Sequence, residues 1–179
     1  MIRMGESPTT ASELLQRLES LGIDVETHTH PPVFTVEQAQ ALKGDLRGAH
    51  TKNLFLRDKK GVMWLVVALH DRPVDLRALG STLGTSGRLS FGSPERMMRT
   101  LGVRPGAVTP FGVVNDTEQA VTVALDTGLK AFELWNAHPL DNTMTTTIRV
   151  PDMIRFLDVT GHPPIWVDLA RAASGSSEI

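Results

Sequence analysis

Residues 50–69 read HTKNLFLRDKKGVMWLVVAL, and their reading decides the fold. Leu54-Phe55-Leu56 is a short apolar run, Asp58-Lys59-Lys60-Gly61 is turn chemistry, and Val62–Leu69 is a second apolar run rich in branched residues. Two such runs around a tight turn predict a β-hairpin over Leu54–Arg57 and Val62–Leu69. The hairpin leaves Lys52, followed by Asn53, at the mouth of its first strand. A lysine there is either a surface charge or a group aimed into a pocket.

Outward from the hairpin, helices and strands alternate irregularly. Thr10-Ala11-Ser12-Glu13 is a capping box, Leu14, Leu15, Leu18 and Leu21 follow at helical spacing, and Gly22 closes the helix. Ile23–His28 reads as a strand, broken by His30-Pro31-Pro32. Thr35-Val36-Glu37-Gln38 is a second capping box opening a short helix. Val74–Leu79 reads as a helix, and Ser93-Pro94 starts another that ends near Gly102. Val108–Val114, Val121–Leu125 and Thr145–Val150 read as strands from their β-branched content. Pro151–Leu157 is a short helix and Ile165–Leu169 a last strand. This pattern predicts an α+β fold with a mixed sheet rather than a doubly wound one. No linker or repeat divides the chain, so one domain over 1–179 is expected, with a core from about 10 to 170 and loose ends at 1–8 and 172–179.

Bulk composition excludes several classes. The 179 residues are 41% hydrophobic, ordinary for a globular protein, and no apolar run approaches the ~20 residues of a membrane helix. The N-terminus lacks a signal pattern, so cytoplasm is the expected location. Absence of cysteine excludes disulfides, thiolate catalysis and cysteine-ligated zinc. The net charge of −2 argues against a generic nucleic-acid coat, but its distribution is uneven. Residues 43–104 carry twelve Lys/Arg against five Asp/Glu, a balance of +7, and the remainder a balance of −9. So basic a segment either faces a phosphate backbone or is a solvated surface.

Candidates for chemistry are few. His28 and His30 sit two apart on an extended segment and could share a metal, but no third ligand follows at a known spacing. No Gly-x-Ser-x-Gly elbow marks a serine nucleophile. Gly80-Ser81-Thr82-Leu83-Gly84-Thr85-Ser86-Gly87-Arg88 lacks the Lys-Ser/Thr ending of a P-loop, and is either a flexible surface loop or, with Arg88, a contact to a phosphate backbone. Three punctuated loops remain, at His30–Thr35, His50–Asn53 and Asn136–Thr143, each beside an expected strand.

Taken in order, His30-Pro31-Pro32-Val33-Phe34-Thr35-Val36, His50-Thr51-Lys52-Asn53-Leu54-Phe55-Leu56, Gly87-Arg88-Leu89-Ser90-Phe91, Gly106–Gly112 and His138-Pro139-Leu140-Asp141-Asn142-Thr143 resemble the YbaK/prolyl-tRNA synthetase-associated domain family. Within it, the motifs are most similar to free-standing editing proteins that deacylate Ala-tRNA(Pro). The resemblance runs from about Ser12 to Leu169. It implies a mixed, partly barrel-like β-sheet flanked by helices and an aminoacyl-ester hydrolase with no cofactor, metal or covalent intermediate. The family's lysine falls on Lys52, with Asn53 beside it as the second catalytic position. Substrate-binding positions are implied at His30, Pro32, Phe34, Thr35, Ala137, His138 and Pro139. Alanine at Ala137 stands where many relatives have glycine. Arg88 is the candidate tRNA contact. The implied partner is the acceptor end of tRNA(Pro), with prolyl-tRNA synthetase or an elongation factor as a further partner, and no membrane. Two alternatives stay open: the same fold acting on Cys-tRNA(Pro) or another small aminoacyl ester, and a non-catalytic nucleic-acid-binding module.

Overall fold

A nine-residue strand organises the molecule. The computed structural model describes residues 7–31 and 46–170, and the expected helix at Thr35 and the residues Pro32, Phe34 and Thr35 lie outside them. In chain order the described elements are α1 (Ala11–Ser20), β1 (Val25–Thr29), β2 (Ala49–Arg57), β3 (Met63–Leu69), α2 (Leu76–Leu83), β4 (Ser90–Phe91), α3 (Pro94–Leu101), β5 (Val121–Asp126), β6 (Leu134–Ala137), β7 (Met144–Arg149), α4 (Val150–Val159) and β8 (Ile165–Val167). Short 3₁₀ helices cover Pro110–Asn115 and Thr127–Ala131.

The fold is α+β, with an eight-stranded mixed sheet flanked by helices. Its strand order is β1-β7-β6-β2-β3-β5-β8, and β4 pairs with β2 off this path. The β2–β3 hairpin is antiparallel in unbroken register from Thr51↔Leu69 to Arg57↔Met63. Its turn is closed by Asp58, whose carboxylate accepts from the amides of Val62 (2.9 Å) and Ser86 (3.0 Å). On its other edge β2 is shared. Ala49 and His50 pair in parallel with Trp135 and Asn136 of β6, whereas Leu56 and Arg57 pair with Phe91 and Ser90 of β4. Between these contacts the edge has no strand partner among the described residues. Gly48, at φ +108°, lets the chain enter β2 against Leu134, whose backbone oxygen would lie 2.7 Å from an added Cβ.

Residues alternate between two faces along each strand. One face carries Phe55, Leu65, Val67, Val123, Trp135 and Ile148 and packs against α1, α3 and α4 through Leu14, Leu18, Leu101, Met153 and Phe156. The other carries Leu56, Val66, Ala68 and Ala124 and packs under Leu79 of α2. Capping follows the expected chemistry at α1, where Thr10 and Glu13 complete the box, and at α3, where Ser93 accepts from the Arg96 amide ahead of Gly102.

Several expectations are corrected. Val108–Val114 is not a strand. Pro110 has no amide for a ladder, and the Thr109 side chain caps the Phe111 amide, so the segment coils into a buried 3₁₀ helix. Residues Gly80–Leu83 are helical, so the glycine-rich loop is shorter than expected. The first hairpin strand starts five residues earlier, at Ala49, which places Lys52 inside β2 rather than at its mouth. Strands β4 and β6 were not anticipated.

Candidate active site

The unbroken β2–β3 register assigns each β2 side chain to a face. Leu54 and Leu56 share the face of Val66 and α2. By alternation, His50 and Lys52 lie on that face, and Thr51, Asn53 and Phe55 on the other. Lys52 is half-buried, and its ammonium makes no ion pair or hydrogen bond among the described residues. Asn53 is turned toward the larger core, where its Nδ2 donates to the Val108 carbonyl at 2.9 Å. Its buried Oδ1 has no partner.

The Lys52 face continues across β6 and β7. Asn136 donates to the carbonyls of Arg47 (3.0 Å) and Ala49 (3.4 Å) and accepts from the Thr147 hydroxyl at 2.6 Å, bracing the β2–β6 junction. The β2–β6 pairing ends at His50↔Asn136, and Lys52 and His138 each follow two residues after that last pair. The His138 Nδ1–H donates to the Met144 carbonyl at 2.8 Å, leaving Nε2 as the lone-pair nitrogen. Burial pushes the His138 imidazole below its ordinary pKa, the Met144 bond opposes this, and nearby His30 adds to it. The His30 ring lies 6.3 Å from that of His138, centroid to centroid. It is fixed by donation from Nδ1 to the Pro31 carbonyl (2.8 Å) and by the Thr145 hydroxyl at Nε2 (2.9 Å).

The loop after His138 is tightly wound. The Leu140 amide donates to the His138 carbonyl at 2.9 Å around Pro139, and Leu140 adopts φ +68°, a conformation costly for a leucine. Asp141 holds the far side by accepting from the amide and hydroxyl of Thr143, both at 2.8 Å.

Thus His30 and His138 adjoin each other, Lys52 lies on the same face of the sheet by strand alternation, Ala137 is turned into the core, and Pro139 is buried. Arg88 is elsewhere. It is exposed and lines, with Arg77, a cleft of about 1100 Å³ between α2 and the loop that follows. Because β4 meets the far end of β2, Arg88 lies beyond Arg57, more than about 16 Å along the strand from Lys52. His28 and His30 do not converge. The His28 Nε2 meets Glu26 at 3.1 Å, and both nitrogens of His30 are engaged as above. Among the described residues no three His, Cys, Asp or Glu side chains cluster as metal ligands. Thr145 and Asn136, which anchor the face, were missed by sequence reasoning. The only signal was the alternation of threonines at 143, 145 and 147.

Comparison with known proteins places this architecture. A crystal structure of a candidate trans-editing enzyme for prolyl tRNA synthetase superposes with a TM-score of 0.67 at 21% identity, covering 90% of this chain and 98% of that one. The fold is therefore that of the editing-domain class. The family model of the aminoacyl-tRNA editing domain matches residues 30–156. The prolyl-tRNA synthetase associated domain-containing protein 1 of Mus musculus is 40% identical over 158 residues, 86% of this chain and 93% of that one. The prolyl-tRNA editing protein ProX of Acetoanaerobium sticklandii is 35% identical over 150 residues, 83% of this chain and 91% of its own. The chain belongs to the aminoacyl-tRNA editing domain family, and its class of activity is aminoacyl-tRNA deacylation.

Proposed function

We propose that this chain is a trans-acting editing hydrolase that removes alanine from mischarged tRNA(Pro) without a metal, with Lys52 at the ester. The observation that carries the reading is the half-buried ammonium of Lys52, which makes no ion pair or hydrogen bond among the described residues, on a face shared with two anchored imidazoles. The names of the relatives, a ProX editing protein and a prolyl-tRNA synthetase associated protein, support tRNA(Pro) as the substrate.

The chemistry suits such a face. Alanine is smaller than proline, so a pocket that admits proline cannot reject alanine by size, and a missing methylene gives only about 1–3 kcal/mol of discrimination. A second site that hydrolyses what it accommodates solves the problem. In the reaction, water or the free ribose hydroxyl attacks the ester carbonyl carbon and gives up its proton. The bond to the esterified ribose oxygen then breaks and that oxygen is protonated. When the ribose hydroxyl attacks, the ester migrates, and water completes the hydrolysis. Lys52 stabilises the negative charge that develops on the carbonyl oxygen. His138, neutral near pH 7, offers Nε2 to the α-amino group or to the attacking water. Asn53 acts through β2, tethering it to Val108.

Deacylation of Ala-, Cys-, Ser- and Pro-charged tRNA(Pro), with and without EDTA, tests the reading. The expected result is rapid, EDTA-insensitive loss of alanine alone. Preference for cysteine would reassign the substrate, EDTA-sensitive loss restored by added metal would overturn the metal-free mechanism, and no hydrolysis of any charge would leave a binding module.

A further inference from the structure

Phe91 is the most exposed large hydrophobic side chain among the described residues, at 63%. An exposed phenylalanine is usually mobile or incidental, but this one is built in. Strand β4 is only two residues long, yet Phe91 is paired with Leu56 and Ser90 with Arg57. The next amide, Gly92, donates to the Phe55 carbonyl at 2.9 Å. Gly92 is also required, since a Cβ there would meet the Phe55 ring at 2.5 Å. The backbone that carries Phe91 is therefore clamped to β2 on both sides.

Cross-strand partners share a face, so Phe91 projects on the side of Leu56, Leu54 and Lys52. Four residues of strand separate Lys52 from Leu56, about 13 Å. The intervening β2 edge is the one without a strand partner among the described residues. Two cations lie near Phe91 in sequence and fold. Arg88 is three residues upstream, and Lys59 packs its stem against Gly87. Arg57, opposite Ser90, projects to the other side of the sheet. Of the carboxylates close in sequence, Asp58 is buried and committed to the Val62 and Ser86 amides, and Glu95, four residues downstream, is exposed in the first turn of α3. A rigid aromatic face beside cations that make no ion pair among the described residues is the arrangement that holds single-stranded nucleic acid.

We propose that Phe91 is a base-stacking platform for the unpaired 3′ end of the RNA, which runs along the open edge of β2 with its terminal ester at Lys52. This rests on the deacylase reading for the direction of the strand, not for the stacking itself. A base stacked on Phe91 fixes how far the terminal ribose reaches and sets the register of the ester against Lys52.

Binding of a short single-stranded RNA ending in CCA, and of uncharged tRNA(Pro), measures the effect without requiring turnover. Phe91→Ala and Phe91→Leu are expected to weaken both by about tenfold, within the range of one base–aromatic stack. Phe91→Trp retains binding, and its emission is quenched on RNA addition above the background of Trp64, Trp135 and Trp166. Circular dichroism of each variant should be unchanged, because the side chain is exposed. Wild-type affinity in Phe91→Leu would overturn the proposal and point to a protein contact satisfied by any apolar group. An unquenched Phe91→Trp would overturn it as well. A wild-type protein that binds RNA through Phe91 yet deacylates nothing would defeat the deacylase reading and leave the platform standing. Full deacylation of Ala-tRNA(Pro) at subsaturating substrate by Phe91→Ala would do the reverse.

Discussion

Lys52 and Asn53 are adjacent in the chain and leave β2 on opposite faces of the sheet. One makes no ion pair or hydrogen bond among the described residues, and the other is tied to the half-buried Val108 carbonyl on the core side. Their substitutions should separate activity from stability. Lys52→Ala is expected to lower the single-turnover deacylation rate by about 100-fold or more, the usual loss for a missing electrostatic donor, with Tm unchanged. Wild-type turnover in Lys52→Ala would remove this lysine from the chemistry.

Asn53→Ala leaves the half-buried Val108 carbonyl without its side-chain donor. It should cost about 1–3 kcal/mol, a drop in Tm of several degrees for a chain of this size. Thermal and urea unfolding check this. An Asn53→Ala protein as stable as the wild type would show that the Val108 tether contributes nothing.

His138 gives the reaction a pH signature. Its pKa is held below the ordinary imidazole value, chiefly by burial. The unfolded chain therefore binds the proton more readily, and stability falls as pH drops from about 7 through the ordinary histidine range, levelling below the folded pKa. Activity should follow the neutral ring, flat above pH 7 and declining in acid. His138→Gln should flatten the acid limb of the rate profile. An unchanged limb would assign it to another group.

His162 and Asp116 form a second polar pair, far from the face of Lys52. They meet at 3.1 Å with both side chains fully buried, and the same Asp116 oxygen accepts from the Val121 amide at 2.8 Å. Burial alone would raise the Asp116 pKa, but hydrogen bonds from His162 and from the amides of Val121 and Ala120 outweigh it and leave the carboxyl below its usual value. Its contribution is present above the ordinary aspartate pKa and is lost as pH falls through the folded one. His162→Ala should destabilise by about 3 kcal/mol, with the specific rate of the remaining folded protein unchanged. Chemical denaturation at pH 7 measures the first and active-fraction kinetics the second.

Arg88 should matter for the RNA beyond the terminal nucleoside. Arg88→Ala is expected to weaken tRNA binding and to reduce the slope of log affinity against log salt by about 0.7–0.9, one phosphate contact. Hydrolysis of an aminoacyl-adenosine ester, which has no stem, should not change. Equal losses on both substrates would place Arg88 in support of the pocket instead.

The parts of this fold that were legible in the sequence are those with local causes. The hairpin announced itself through Asp58–Gly61 between apolar runs, and α1 and α3 through Thr10, Glu13, Ser93 and Pro94. Strand β6 had no such cause. It is four residues long, includes a polar Asn136, and owes its existence to Ala49 and Ile148, which are distant in sequence. At Pro110–Asn115 the β-branched Val113 and Val114 suggested a strand, and Pro110 and the Thr109 cap overrode them. The candidate site was legible as a set of motifs, but the separation of Lys52 from Asn53 was not. That depends on where β2 begins, and the polar residues His50–Asn53 gave no apolar run to mark it.

The unbroken register of β2 also constrains how this protein can change. Loss or gain of one residue between Thr51 and Phe55 would exchange the two faces for everything on one side of the event, burying the ammonium of Lys52 or exposing Phe55. Substitutions along this strand can accumulate singly, but length changes are tolerable only in steps of two. Descendants of this chain should therefore vary in the composition of β2 long before they vary in its length.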